Sequence, residues 1–236
     1  MKDSHSGDCQ WLHKQIEKYP LIKYPFDLER LPDDGIYFFY EKGEVWGHGG
    51  SKPRIVRVGA HRSGNFKSRL NDHFVFKENK MRFNEMQSAP KDRSIFRKNI
   101  GRALLNKEKS EYLKVWEMDF TDRESRGTKR HHRNIELEKR IERRISDLLR
   151  RNFDFRYIAV QNEMGGKGLE SRLIETIAQC ECCHPSKRWL GLHSPIDKIC
   201  KGKMWLVQHL GCGGITHNDK LRLQKIIDKQ SKEFQR

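Results

Sequence analysis

Behind an Asp33-Asp34-Gly35 turn signal stand five consecutive aromatic or β-branched residues, Ile36-Tyr37-Phe38-Phe39-Tyr40, and no other feature restricts the fold as much. Such a run suits a pleated surface better than a helix, so it reads as a strand. A second short run, Arg54-Ile55-Val56-Arg57-Val58, follows across a Gly-rich connection and ends at Gly59, and Phe155-Arg156-Tyr157-Ile158-Ala159-Val160 is a third. Short strands separated by helical patterns predict an α/β (α+β) fold: a small three-stranded mixed or antiparallel sheet flanked by helices, with helical insertions.

The helical patterns are explicit in places. Phe66, Leu70 and Phe74 recur every four residues, and Asn65, Arg69 and His73 recur at the same spacing. One helix would bury the aromatics and display the polar trio. Ser94 caps a helix through Leu105, and Leu137, Ile141, Ile145 and Leu148 make a narrow apolar stripe on a long helix whose remaining surface is Arg, Lys and Glu. After a Gly165-Gly166 turn, Leu169, Leu173, Ile174 and Ile177 form the buried side of a further helix. Residues 77–94 read as an irregular basic loop, and Tyr112 to Phe120 as a strand. The chain therefore divides into a lead-in helix and loop over 1–30, a main unit over 31–215 with a basic insertion at about 77–150, and a polar, helical tail over 216–236.

Lys and Arg total 48 against 32 Asp and Glu, a formal net charge of +16, which calls for a polyanionic partner. No run of about 18 apolar residues could span a bilayer, and nothing behind Met1 reads as a signal peptide, so the expected location is cytoplasmic or nucleoid-associated, with no membrane partner. Six unevenly spread Cys make a disulfide framework unexpected.

Gly35-Ile36-Tyr37, Arg57-Val58-Gly59 about twenty residues later, Arg69 and His73 four residues apart on a helix, and Glu170 opening a later one stand in that order along the chain. This series resembles the GIY-YIG nucleases, and Ser94-Ile95-Phe96-Arg97, Trp189-Leu190-Gly191 and Met204-Trp205 resemble a prokaryotic branch of them, over roughly residues 33–210. Arg57 stands where the family's second triplet has Tyr, as is usual in that branch. Gln208 or His209 falls in the region of the family's late Asn.

The resemblance implies a metal-dependent endonuclease that hydrolyses DNA phosphodiester bonds to 5′-phosphate and 3′-hydroxyl ends. Tyr37 would be the general base or orient the attacking water; Arg69 and His73 would meet the phosphate, with His73 also open to a proton relay. Glu170 would hold Mg²⁺ or Mn²⁺. A free phenol titrates near 10, so a cation must help Tyr37, and Lys42, His61 and Arg57 are the residues available for it. Arg69 suits phosphate because its planar fork presents several donors at once.

Cys180, Cys182, Cys183 and His184 put three thiols and an imidazole within five residues, with Cys200 or Cys212 as further ligands for a structural Zn²⁺. Arg140, Arg143, Arg144, Arg150 and Arg151 could track a DNA backbone. Two rival readings follow: a non-catalytic DNA-binding protein on the same fold, and a zinc-stabilised nucleic-acid module.

Overall fold

The computed structural model describes residues 2–61, 63–160, 168–208, 211 and 213–234. The Gly165-Gly166 turn, His209 and Cys212 lie outside them. Along the chain the helices are α1 (Lys2–Ile16), α2 (Phe66–Phe74), α3 (Pro90–Arg93), α4 (Ile95–Lys107), α5 (Leu113–Glu117), α6 (Arg123–Lys129), α7 (Ile135–Asn152), α8 (Leu169–Ala178), α9 (Asp197–Gly202) and α10 (His217–Phe234). The strands are β1 (Gly35–Val45), β2 (Pro53–His61) and β3 (Phe153–Ala159), in the order β2-β1-β3 with both pairings antiparallel.

The unbroken apolar run of β1 is explained by its place. As the central strand it is covered on both faces, so both of its alternating rows must be apolar. Ile36, Phe38 and Tyr40 join Ile55, Val58 and Ile158 under α1, α8 and α10, which supply Leu12, Ile16, Leu173, Ile174, Leu223 and Ile227. Tyr37 and Phe39 join Val56, Phe153 and Phe155 on the opposite face, packed by Phe66, Leu70 and Phe74 of α2, Phe96 and Ile100 of α4, and Ile141, Ile145 and Leu149 of α7. The lead-in segment adds one bridge: Ile22 exchanges backbone hydrogen bonds of 2.8 and 3.0 Å with Phe155, pairing the outer edge of β3.

Three local expectations are corrected. The stretch expected as a strand from Tyr112 to Phe120 contains α5 instead. Trp116 is fully buried there, its indole donating to the Lys98 carbonyl at 3.0 Å, so helical spacing turns it onto α4. The loop expected over 77–94 includes a 3₁₀ turn, Glu78–Met81, and the short helix α3. On α7, Glu138, Glu142 and Ser146 are not surface groups but buried beside the apolar stripe. Glu142 meets Arg97 at 2.6 Å and Glu138 meets Arg133 at 2.6 Å, so each buried charge is paired. Among the described residues, no helix is long and apolar enough to cross a membrane.

The tryptophans of Trp189-Leu190-Gly191 and Met204-Trp205 converge on one carboxylate. Both indoles donate to Glu41 Oε2, Trp189 at 2.9 Å and Trp205 at 2.8 Å. Burial outweighs these two donors and pushes the Glu41 carboxyl up to about 7 from an ordinary 4.5. A carboxyl whose pKa rises on folding stabilises the protein while it is protonated, and that contribution is lost as pH climbs from the unfolded to the folded value. Between pH 5 and 8 the unfolding free energy of the native chain should fall relative to that of Glu41→Gln, by a total of about 3 kcal/mol. Urea unfolding at stepped pH reads the difference; parallel pH profiles for the two proteins would refute it.

Candidate active site

Tyr37, the third residue of β1, projects toward α2. Opposite it in register is Gly59 of β2, where an added Cβ would lie 2.2 Å from the Tyr37 hydroxyl. The glycine of the second triplet is thus needed because the phenol crosses the space a side chain would fill.

The phenol oxygen is 3.0 Å from His73 Nε2, and His73 Nδ1 is 2.8 Å from Ser94 Oγ. Ser94 Oγ accepts the Arg97 amide at 3.3 Å as the α4 cap. Arg97 in turn donates to the His73 carbonyl at 2.9 Å while held by Glu142. The result is a buried chain, Tyr37–His73–Ser94, clamped from below by an ion pair. Ser94 was legible in the sequence only as a helix cap; its second role depends on the N-terminal end of α4 meeting His73 of α2.

His73 therefore does not stand on a displayed polar face, as the sequence suggested, but is buried. Spacing alone explains it: at about 100° per residue, seven positions bring His73 almost into line with Phe66, on the inward arc of α2. Arg69 lies further round and is exposed, with a 3.2 Å bond to the Arg93 carbonyl.

Arg57 is buried against this chain. Its guanidinium lies 4.8 Å from the Phe96 ring centre, and one terminal nitrogen donates to the Trp205 carbonyl at 2.5 Å. His61, at the end of β2, stacks on the Tyr37 ring at 5.8 Å. Glu170, in the first turn of α8, accepts the Ala60 amide at 3.0 Å. The structure thus brings Tyr37, Arg57, His61, Arg69, His73 and Glu170 to one place. Lys42 is not part of it, being roughly 16 Å further along β1. Gln208 is exposed.

The electrostatics follow from burial under a surplus of cations. Burial raises the Tyr37 phenol above its ordinary value, against the neighbouring Arg57 guanidinium, which lowers it. Burial also holds His73 well below the ordinary imidazole range, reinforced by Arg57, His61, Arg69 and Arg97. His61 is lowered to about 4 by burial, then by Arg69 and Arg57. At neutral pH both imidazoles are uncharged, so His73 has a nitrogen able to accept a proton.

A GIY-YIG domain model matches residues 9–232. The chain belongs to the GIY-YIG family. No curated protein and no solved structure matches it. The GIY-YIG match extends past the sheet at both ends, spanning Cys9 of α1 and most of α10.

The predicted thiol cluster is corrected in its membership. Cys180 and Cys183 come together with Cys9 and His48, their four donor atoms all within 4.8 Å of one another, so the group could hold a metal ion. Cys182 and His184 are exposed outside it, and Cys200 instead points at the Gly191 carbonyl, 3.3 Å away. Cys180 and Cys183 share one side of a turn that Cys182 and His184 leave.

The arginines expected to follow DNA are divided by the fold. Arg144 pairs with Glu108, and Arg150 donates to the Phe74 and Val75 carbonyls at 3.2 and 2.7 Å, so both have structural partners. Arg140, Arg143 and Arg151 are exposed on α7. Beside the site, Lys80, Arg82, Arg93 and Arg126 line an open cleft with Asp72. Its basic rim adjoins Arg69 through the Arg93 carbonyl.

Proposed function

We propose that this GIY-YIG protein is a metal-dependent endonuclease that hydrolyses phosphodiester bonds in DNA. The observation that carries the reading is the hydrogen-bonded order Tyr37–His73–Ser94, with a neutral imidazole 3.0 Å from a phenol at the centre of a cationic site. Tyr37 takes a proton from the attacking water as it passes its own to His73 Nε2, and Ser94 Oγ accepts from His73 Nδ1–H to hold that tautomer. His73 is a weak base in the free protein because burial, and then the surrounding arginines, disfavour its charged form. The negative charge of a bound phosphodiester offsets those arginines, so substrate itself raises the basicity of His73.

Arg69 is exposed and carries the fork of donors that suits the non-bridging oxygens, where charge builds up. Arg57 is the buried cation that favours phenolate character at Tyr37. The donor set around Glu170 fits a hard divalent ion: Glu170 would hold it by a carboxylate anchored through the Ala60 amide, with oxygen ligands from water and phosphate completing the shell. When bound there, Mg²⁺ or Mn²⁺ supplies Lewis-acid stabilisation of the leaving oxygen. The +16 charge and the basic cleft beside Arg69 suit a DNA backbone.

The deciding experiment incubates supercoiled plasmid and branched DNA with Mg²⁺ or Mn²⁺, using the native chain and folded Glu170→Ala and Arg69→Ala variants. Metal-dependent nicking that falls by about 10²-fold or more in each variant is expected. Tight, salt-sensitive DNA binding without cleavage of any substrate would overturn the enzyme reading in favour of a binding module.

A further inference from the structure

Remote from the phosphate-facing residues, three buried thiols and one imidazole meet from three parts of the chain. Cys9 comes from the middle of α1, His48 from the β1–β2 connection, and Cys180 and Cys183 from the turn after α8. Cys9, Cys180 and Cys183 are each at most 1% exposed. Cys9 Sγ is 3.9 Å from Cys183 Sγ, and Cys180 Sγ is 3.3 Å from His48 Nε2. A tetrahedral zinc ion with Zn–S near 2.3 Å and Zn–N near 2.0 Å requires S···S edges of about 3.8 Å and S···N edges of about 3.5 Å.

The surroundings are arranged as a ligand shell would need. The Gly47 amide donates to Cys183 Sγ at 3.5 Å. His13 is close but is not a donor to the group. Its Nε2 accepts the Ile55 amide at 3.1 Å, so the proton sits on Nδ1, which donates to the Cys9 carbonyl at 2.9 Å and lies 3.5 Å from the Cys9 sulfur. The loop bearing His48 is seated tightly as well: a Cβ on Gly47 would fall 1.5 Å from the Cys182 carbonyl oxygen. That contact sets the imidazole against the thiols independently of any ion.

We propose that Cys9, His48, Cys180 and Cys183 bind one Zn²⁺ in a closed Cys₃His structural site. Four protein ligands leave no position for substrate, and soft thiolates select zinc over the hard ion suited to Glu170. The ion fastens α1 and the β1–β2 connection to the C-terminal end of α8. Glu170 is at the other end of α8, roughly 12 Å along its axis, so the zinc site holds the helix that carries the proposed metal-binding carboxylate. The proposal does not depend on nuclease activity.

The test is elemental analysis of untagged full-length protein by plasma mass spectrometry. About one zinc per chain is expected in the native protein and in Glu170→Ala, Cys182→Ser and Cys200→Ser, with zinc largely lost in Cys9→Ser, Cys183→Ser and His48→Ala. Because a cysteine variant can fail to fold, native protein exchanged with Co²⁺ gives an independent reading: intense tetrahedral ligand-field bands with thiolate-to-cobalt charge transfer are expected. A chelator should lower the melting temperature, and added zinc should restore it. Substoichiometric zinc in a folded chain, a weak octahedral cobalt spectrum, or a disulfide among these cysteines by peptide mapping would overturn the proposal.

Discussion

Tyr37→Phe should cut DNA cleavage by about 10²- to 10⁴-fold, the range a single acid–base group supplies, while the protein still folds and binds DNA. The substitution removes one hydroxyl from a pocket already shaped for the ring. It strands His73 Nε2, at a cost of about 1–3 kcal/mol, so stability falls far less than activity. The pH profile separates a proton-relay role from a packing role. His73 must be neutral to accept the phenol proton, and burial together with the guanidinium groups of Arg57, Arg69 and Arg97 holds it well below the ordinary imidazole range. Native cleavage should therefore persist as pH falls through 6.5 and drop only at more acid pH. A Tyr37→Phe protein that cuts within tenfold of native, or a native profile that already collapses near pH 6.5, would eliminate the relay.

Glu142→Ala should be the most destabilising single change outside the apolar core. Arg97 and Glu142 are both fully buried, and Glu142 receives the guanidinium at 2.6 and 2.9 Å and the Lys91 amide at 2.6 Å. Removing the carboxylate leaves a guanidinium buried without its counter-charge, at about 3–5 kcal/mol. For a chain of this size that is a melting-temperature fall of roughly 6–20 °C. The exposed Arg144–Glu108 pair is the internal control: Glu108→Ala should cost under about 1 kcal/mol. Replacing Arg97 and Glu142 together with apolar residues should recover much of the stability but not the DNA cleavage expected of the native chain, because the Arg97 guanidinium also holds the His73 carbonyl. Equal melting temperatures for Glu142→Ala and Glu108→Ala would refute this account.

The sheet was legible because its strands announce themselves locally. Ile36 to Tyr40, Arg54 to Val58 and Phe155 to Val160 each carry the composition of a buried strand, and all three pair as one sheet. The aromatics of α2 were legible from their four-residue repeat, and Tyr37, Arg57, Arg69, His73 and Glu170 from the order of their motifs; His61 reads in the sequence as a cation to help Tyr37, whereas in the fold it is lowered to about 4 and uncharged at neutral pH. Misreadings came where helical and strand composition overlap, as at Tyr112 to Phe120, or where a charged residue was taken as exposed by default, as at Glu138 and Glu142. A buried carboxylate looks the same as a solvated one until its partner is known, and Arg97 is 45 residues away in the chain.

Sequence by itself determined the positions of the strands and main helices, the surplus of positive charge, and the residue types gathered around Tyr37, since these rest on periodicity and composition within a few turns of chain. Tertiary structure alone decided that Ser94 hydrogen-bonds the far side of His73, that two indoles from separate segments share Glu41, and that Cys180 and Cys183 meet Cys9 and His48 rather than their own neighbours Cys182 and His184. Each of these depends on which side chains close packing brings within about 3–4 Å. Spacing along the chain carries no record of that between segments 21 to 174 residues apart.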